Sequence, residues 1–171
     1  MSSRWLLLAV LSQMSACVIP VGPSFEEEEN YPPYVVSSDP SEGEVFTPGP
    51  MSDTKDISVT LGDQNLHDRL FVRWLVDYPS SDPNLGRKAL ELEYPASGTV
   101  VRGTVHFMPS CLRIAPGLTQ HRLVMSVSDR KFLDAENGDS VSPDAPFDSV
   151  PSDAKRIRVV WILNMECKIG Q

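Results

Sequence analysis

Short stretches of alternating apolar and polar residues recur along the chain from Tyr31 onward, separated by turn-forming residues. Alternation with a period of two is typical of strands that bury one face in a core. Fifteen prolines among 171 residues favour turns and strand ends over long helices. The pattern predicts eight strands, at residues 34–37, 45–46, 56–61, 69–77, 88–94, 99–108, 121–129 and 155–167.

The same alternation predicts which side chains face the core. In the strand at 69–77 apolar residues including Trp74 point inward, and three polar residues point outward: Arg69, Arg73 and Asp77. In the last strand Val160 and Ile162 lie on the face opposite Trp161, so we expect both faces to be partly covered. Gly103 indicates a β-bulge. The sequence therefore predicts an all-β, antiparallel sandwich of about seven to eight strands.

The first sixteen residues have the layout of a secretory signal peptide. Arg4 gives a positive start, residues 5–11 form an unbroken apolar run, and the small residues Ser15 and Ala16 precede Cys17. The apolar run is too short for a membrane-spanning helix, which needs about 20 residues. We therefore expect residues 1–16 to be cleaved.

Residues 14–17, Met-Ser-Ala-Cys, resemble the lipobox of bacterial lipoproteins, with Met14 where that family usually has Leu. The resemblance implies that Cys17 is acylated on sulfur and becomes the new N-terminus, which anchors the protein to the cell envelope. Two or three acyl chains anchor a protein stably, whereas one binds only marginally. Val18 in place of Asp favours the outer membrane. The alternative is an ordinary signal peptide cleaved nearby, with Cys17 an unmodified thiol.

Cleavage would remove one of 15 basic residues and none of the 23 acidic ones, changing the net charge from −8 to −9. Nucleic acid would repel such a chain, so it is not an expected partner. Residues 17–30 include four consecutive glutamates and too few apolar residues to fold, and they predict a disordered linker. An acidic docking segment is the alternative. Residues 31–171 suit a single domain.

With Cys17 assigned to lipid, Cys111 and Cys167 remain as a pair in a compartment where disulfides persist. Two buried free thiols are one alternative. A zinc site that adds His106 and His121 is another, although zinc ligands normally come in tighter pairs. We expect His121 to begin a strand and to bond the backbone through its ring. The sequence predicts no catalytic residue, no metal and no cofactor.

Residues 133–154 form a long acidic loop in which positions 134–153 hold six acidic residues, three prolines and no basic residue. Loops of this length are usually functional or disordered. Asp134, Glu136 and Asp139 offer oxygen ligands for calcium, but without the regular spacing of a calcium loop. A plain acidic surface loop is the default interpretation. The loop is also a candidate binding surface, with Phe147 as an exposed anchor.

Residues 117–129, which read Gly-Leu-Thr-Gln-His-Arg-Leu-Val-Met-Ser-Val-Ser-Asp, are similar to the penultimate strand of bacterial immunoglobulin-like and polycystic-kidney-disease-type domains. Trp74 resembles the core tryptophan of their third strand. The resemblance implies an immunoglobulin-like sandwich, although Cys111 and Cys167 do not lie where antibody domains have their disulfide. We expect a non-enzymatic binding or structural module for an envelope protein or glycan. The alternatives are a hydrolase or metal-dependent enzyme on the same scaffold, and a spacer without a ligand.

Overall fold

The computed structural model describes residues 29–48, 56–78, 87–111, 117–134, 139 and 146–167. Within these residues there are eight strands and no helix, and hence no helix that could cross a membrane. Every predicted strand is present. The strands are β1 Tyr34–Asp39, β2 Val45–Phe46, β3 Ile57–Gly62, β4 Leu70–Val76, β5 Arg87–Tyr94, β6 Val101–Phe107, β7 Gln120–Ser128 and β8 Arg156–Asn164.

The strands form two sheets that face each other as a β-sandwich. One sheet has the order β1-β3-β6, and the other has the order β2-β8-β7-β4-β5. Neighbouring strands are antiparallel except for the pair β2 and β8, which is parallel. The predicted all-β sandwich is confirmed. The parallel pair was not predicted, because a two-residue segment carries no pattern from which its direction can be read.

The core lies between the two sheets and is centred on Trp74 of β4, which is fully buried. Its ring stacks on Phe107 of the opposite sheet, with centroids 4.7 Å apart, and on Trp161 of β8 at 5.6 Å. Trp161 in turn donates its indole N–H to the carbonyl of Pro40, 3.0 Å away, where the chain passes from β1 toward β2. The aromatic stack therefore ties both sheets and their first crossover together.

Gly103 does lie beside an irregularity in β6. The pairing partner changes from Gly103 opposite Leu61 to Val101 opposite Gly62, which leaves Arg102 as the extra residue. Gly103 has a φ of 143°, a conformation that side chains rarely adopt. The bulge turns Arg102 into the end of the sandwich, where its guanidinium donates to the carbonyl of Leu66 at 2.9 Å.

Cys111 and Cys167 form a disulfide, and their Cα atoms are 5.4 Å apart. Cys111 follows β6 of one sheet and Cys167 follows β8 of the other, so the bond joins the two layers at one end. The predicted pairing is confirmed. The alternative zinc site is wrong, because both sulfur atoms are bonded to each other and neither can act as a thiolate ligand.

Replacing both Cys111 and Cys167 by Ser should lower the free energy of unfolding by at most about 4 kcal/mol, because the bond closes a long loop in the unfolded chain. Denaturant titration of the double variant and of the wild type measures the difference. The single variants Cys111→Ser and Cys167→Ser are the controls and should lose about as much, since either substitution already prevents the bond. Equal stability of the double variant and the wild type would contradict a structural role.

Candidate functional site

Part of the outer face of the five-stranded sheet is buried, although it points away from the sandwich core. Leu75 of β4 and Val124 of β7 are almost inaccessible to solvent, and they form a second apolar cluster with Tyr78, against which Val160 packs. Polar contacts described below hold parts of the connection between β7 and β8 against this face. We call residues 130–134 and 146–154 the strap.

Arg73 of β4 is the main attachment point for the strap. Its Nε and Nη2 atoms donate to Glu91 of β5 at 3.1 and 2.7 Å, and its Nη1 donates to the carbonyl of Phe147. The guanidinium also lies 4.6 Å from the ring centroid of Phe132, a cation–π arrangement. Arg73 points outward as predicted, but the strap leaves only 2% of its side chain exposed.

Asp134 extends this cluster. Its Oδ2 atom is 2.8 Å from Nζ of Lys88 and 3.6 Å from Nη2 of Arg73. Asp139 Oδ2 accepts a hydrogen bond from the backbone N–H of Asp134 at 2.9 Å. Glu136, the third predicted acidic residue, lies outside the described residues. The carboxylate of Asp134 is thus engaged by two cations, Lys88 and Arg73.

Asp148 is the second attachment point, and its carboxylate is fully buried. Oδ1 accepts the hydroxyl of Tyr78 at 2.8 Å, Oδ2 accepts Nε of Arg158, and Arg156 lies 3.2 Å away. Burial by itself would raise the pKa of Asp148. The hydrogen bonds from Arg158 and Tyr78, together with the charges of the two arginines, outweigh that effect and lower the pKa below its ordinary value.

The pKa of Tyr78, which donates one of these hydrogen bonds, is shifted as well. Burial, reinforced by the hydrogen bond to the Asp148 carboxylate, raises the pKa of Tyr78 to about 12. The bond to Asp148 likewise raises the pKa of Arg158. Each partner is therefore held in the protonation state that maintains the contact, with the carboxylate ionised and the phenol neutral.

Phe147, the predicted anchor, is 44% exposed, although the next residue, Asp148, is fully buried. Its carbonyl faces Arg73, and its ring centroid is 6.0 Å from that of Tyr78. The structure thus brings Asp134 and Phe147 to the same guanidinium and leaves the aromatic ring partly open to solvent. Whether this surface binds a partner stays a prediction of the sequence.

Sequence reasoning missed Asp148, Tyr78 and the paired arginines of β8. Arg156 and Arg158 alternate along β8 near an acidic loop, and that was the one available signal. Such a pattern is also typical of a solvated strand face. The partner of a charged side chain across a long connection cannot be read from spacing alone, so the contacts became visible only with the fold.

His121 is the second residue of β7 and is buried, but its ring does not bond the backbone as expected. Nδ1 lies 2.8 Å from Oδ2 of Asp77, whose Oδ1 accepts the N–H of Arg122 at 3.1 Å. Asp77 has a φ of 55°, a left-handed conformation that non-glycine residues adopt rarely and Asp more often than most. The prediction was wrong because β4 ends beside β7 and offers a carboxylate at this position.

This pair has the orientation of a base and its supporting carboxylate in hydrolases. However, Nε2 of His121 is buried and has no hydrogen-bond partner among the described residues, so no hydroxyl or thiol there serves as a nucleophile. Nor do the described residues bring together three or more His, Cys, Asp or Glu side chains in a group that could hold a metal. His106 lies on an exposed face of β6, apart from this pair.

Residues 29–31, which we call the N-terminal approach, contact the domain at the end of β7 that lies away from His121. The side chain of Asn65 accepts the N–H of Tyr31 at 2.8 Å and donates to the carbonyl of Glu29 at 2.9 Å. Between them, Asn30 donates its side-chain amide to Oδ2 of the buried Asp129 at 2.6 Å. The last two residues of the predicted linker therefore contact the sandwich.

The chain matches no protein-family model, and comparisons with curated proteins and with solved structures return no significant match.

Replacing Asp148 by Ala should lower the free energy of unfolding by about 1–3 kcal/mol, since the buried hydroxyl of Tyr78 loses its acceptor. Asp148→Asn should also flatten the acid limb of the stability profile. A carboxylate with a lowered folded pKa stabilises above its unfolded pKa, and this contribution is lost as the pH falls through the folded value.

Urea titrations of wild type and Asp148→Asn between about pH 5 and pH 2 measure this difference. Asp153→Asn is the matched control, because the side chain of Asp153 is 71% exposed and comes no closer than 3.8 Å to Arg130. Parallel pH profiles of all three proteins would show that Asp148 is not the ionised residue that fastens the strap.

Asp77→Ala should lower the free energy of unfolding by about 1–3 kcal/mol, because the variant loses both contacts and keeps a left-handed backbone. Asp77→Asn should cost less, since asparagine tolerates this conformation and its carbonyl can still accept the N–H of Arg122. Asp77→Gly separates the loss of side-chain contacts from backbone strain, because glycine adopts the left-handed conformation without strain but makes neither contact. Equal losses in the Ala and Asn variants would contradict the role of the side-chain contacts.

Proposed function

We propose that this protein is a lipid-anchored lipoprotein of the bacterial cell envelope whose β-sandwich is a non-enzymatic binding or structural module. The proposal rests mainly on the three cysteines. Of the three in the chain, Cys111 and Cys167 are bonded to each other, which leaves Cys17 as the one that follows the signal-like segment. A structural disulfide also fits an oxidising compartment outside the cytosol.

The position of the N-terminal approach supports the same arrangement. Glu29 and Tyr31 are held at one end of the sandwich by Asn65, so an anchor at Cys17 would be joined to the domain by residues 18–28. An extended chain spans about 3.3–3.6 Å per residue, which would let the domain stand roughly 35–40 Å from a membrane surface. Val18 after the cysteine favours the outer membrane.

The sandwich is proposed to be immunoglobulin-like. Support comes from the resemblance of residues 117–129, which contain β7, and from Trp74, which lies at the centre of the core. The two-sheet architecture is compatible with that family, but fold by itself does not define function. The expected partner is an envelope protein or a glycan.

A hydrolase on the same scaffold is the second candidate, favoured by the His121–Asp77 pair. A general base has to reach the proton that it removes. Because the side chain of His121 is fully buried and Nε2 has no hydroxyl beside it among the described residues, the binding module is the better-supported proposal.

Cys17→Ser should leave the protein as unprocessed precursor or release it from membranes, because the acylation site is lost. The test is membrane fractionation of intact cells together with the mass of the purified chain, which should show acyl groups on the wild type only. The Cys111→Ser, Cys167→Ser double variant is the control and should still carry the acyl groups. Unchanged mass and fractionation of Cys17→Ser would refute the anchor.

A further inference from the structure

The outer face of the three-stranded sheet differs from that of the five-stranded sheet. Three rows of outward residues cross it in register, and two of them are uncharged: Tyr34, Gly62 and Val101 in one, and Ser37, Thr60 and Thr104 in the other. We call these six residues the hydroxyl face. Val101 is 52% exposed and Tyr34 36%, whereas Arg73 beneath the strap on the other sheet is buried.

The glycine in the first row sets the position of the tyrosine ring. A β-carbon added to Gly62 would lie 2.6 Å from Cζ and 2.7 Å from Cε2 of Tyr34. The ring therefore rests on the backbone of β3, where any other residue would push it away. The result is an aromatic surface held close to the plane of the sheet.

The second row supplies hydroxyl groups. The Oγ1 atoms of Thr60 and Thr104 are 2.9 Å apart, and Ser37 is exposed on the edge strand β1. Each hydroxyl can donate one hydrogen bond and accept two, so this row has unused capacity toward a ligand. None of the six residues carries a charge, and the charged or titratable side chains of this face, Asp39 and His106, lie in the neighbouring row.

The size of the hydroxyl face limits what can bind it. The whole outer face of the three-stranded sheet, with about six residues in each strand, presents on the order of 300 Å², and the hydroxyl face is part of it. A stable protein–protein interface needs about 800 Å² from each partner, so a second copy of the chain would gain too little contact here. A narrow and uncharged ligand with many hydroxyl groups and apolar ring faces matches both the area and the chemistry.

We propose that the hydroxyl face binds an uncharged polysaccharide chain, with a sugar ring stacked on Tyr34 and hydroxyl groups bonded to Ser37, Thr60 and Thr104. This inference rests on the proposed binding module and names its ligand class. Stacking on an aromatic ring supplies apolar contact, and the hydroxyl row supplies polar contacts that suit neutral sugars.

The test uses the full chain, processed in a bacterial host and purified in detergent. Retention on insoluble chitin and cellulose, and titration with chitohexaose and cellohexaose, measure binding. The wild type should bind at least one of the two polymers. Tyr34→Ala and Gly62→Ala should weaken binding by about tenfold, the first by removing the ring and the second by displacing it.

Phe147→Ala is the matched control, since it removes an exposed aromatic ring on the strap over the other sheet and should bind like the wild type. Ser37→Lys should abolish binding without affecting the fold, because Ser37 is exposed on an edge strand. Thermal unfolding of each variant identifies any loss that is due to unfolding. No retention on either polymer, or equal binding by the wild type and the three face variants, would refute the proposal.

A dimer that sedimentation velocity detects and Ser37→Lys dissociates would instead assign the hydroxyl face to a second copy. The proposed lipid anchor is tested separately, by membrane fractionation of Cys17→Ser. Polysaccharide binding without membrane attachment would reject the anchor alone, and attachment without polysaccharide binding would reject the ligand alone.

Discussion

The stack of Trp74 between Phe107 and Trp161 is the contact on which the sandwich depends. It joins the three-stranded sheet to the five-stranded one at the centre of the core, and truncating such a residue to alanine typically costs ~3–5 kcal/mol. The indole N–H of Trp74 has no hydrogen-bond partner among the described residues. The position therefore tolerates an unsatisfied donor, which indicates that shape and apolar area decide its identity.

The inner half of the fold was predictable because burial on one face leaves a period of two in the sequence. That periodicity identified β3, β4 and β7 and the inward direction of Trp74. The disulfide was predictable for a different reason, since counting cysteines needs no geometry once Cys17 is set aside. The short β2 shows the limit of the method, because two residues determine neither partner nor direction.

The outer face of the five-stranded sheet could not be predicted in the same way. Arg73 was placed correctly as outward-facing, but outward does not mean exposed when a long connection folds back over the sheet. Its contacts with Glu91 and Phe147 join three separate segments of the chain. Such contacts depend on how the loop folds, and loop residues carry no periodic signal. For the same reason the sequence did not reveal the role of Asp148, whose buried carboxylate also holds the strap.

These contacts also change how the acidic composition should be interpreted. Asp134, Asp148 and Glu91 are paired with arginine or lysine at the outer face, and Asp129 helps to hold the N-terminal approach. The net negative charge therefore does not by itself mark a cation-binding loop, because several of the acids have internal structural partners. A ligand that approaches this molecule meets least competition where charge is absent. On the outer face of the three-stranded sheet, the two rows in which Tyr34 rests on a glycine and the hydroxyl groups point to solvent carry no charge.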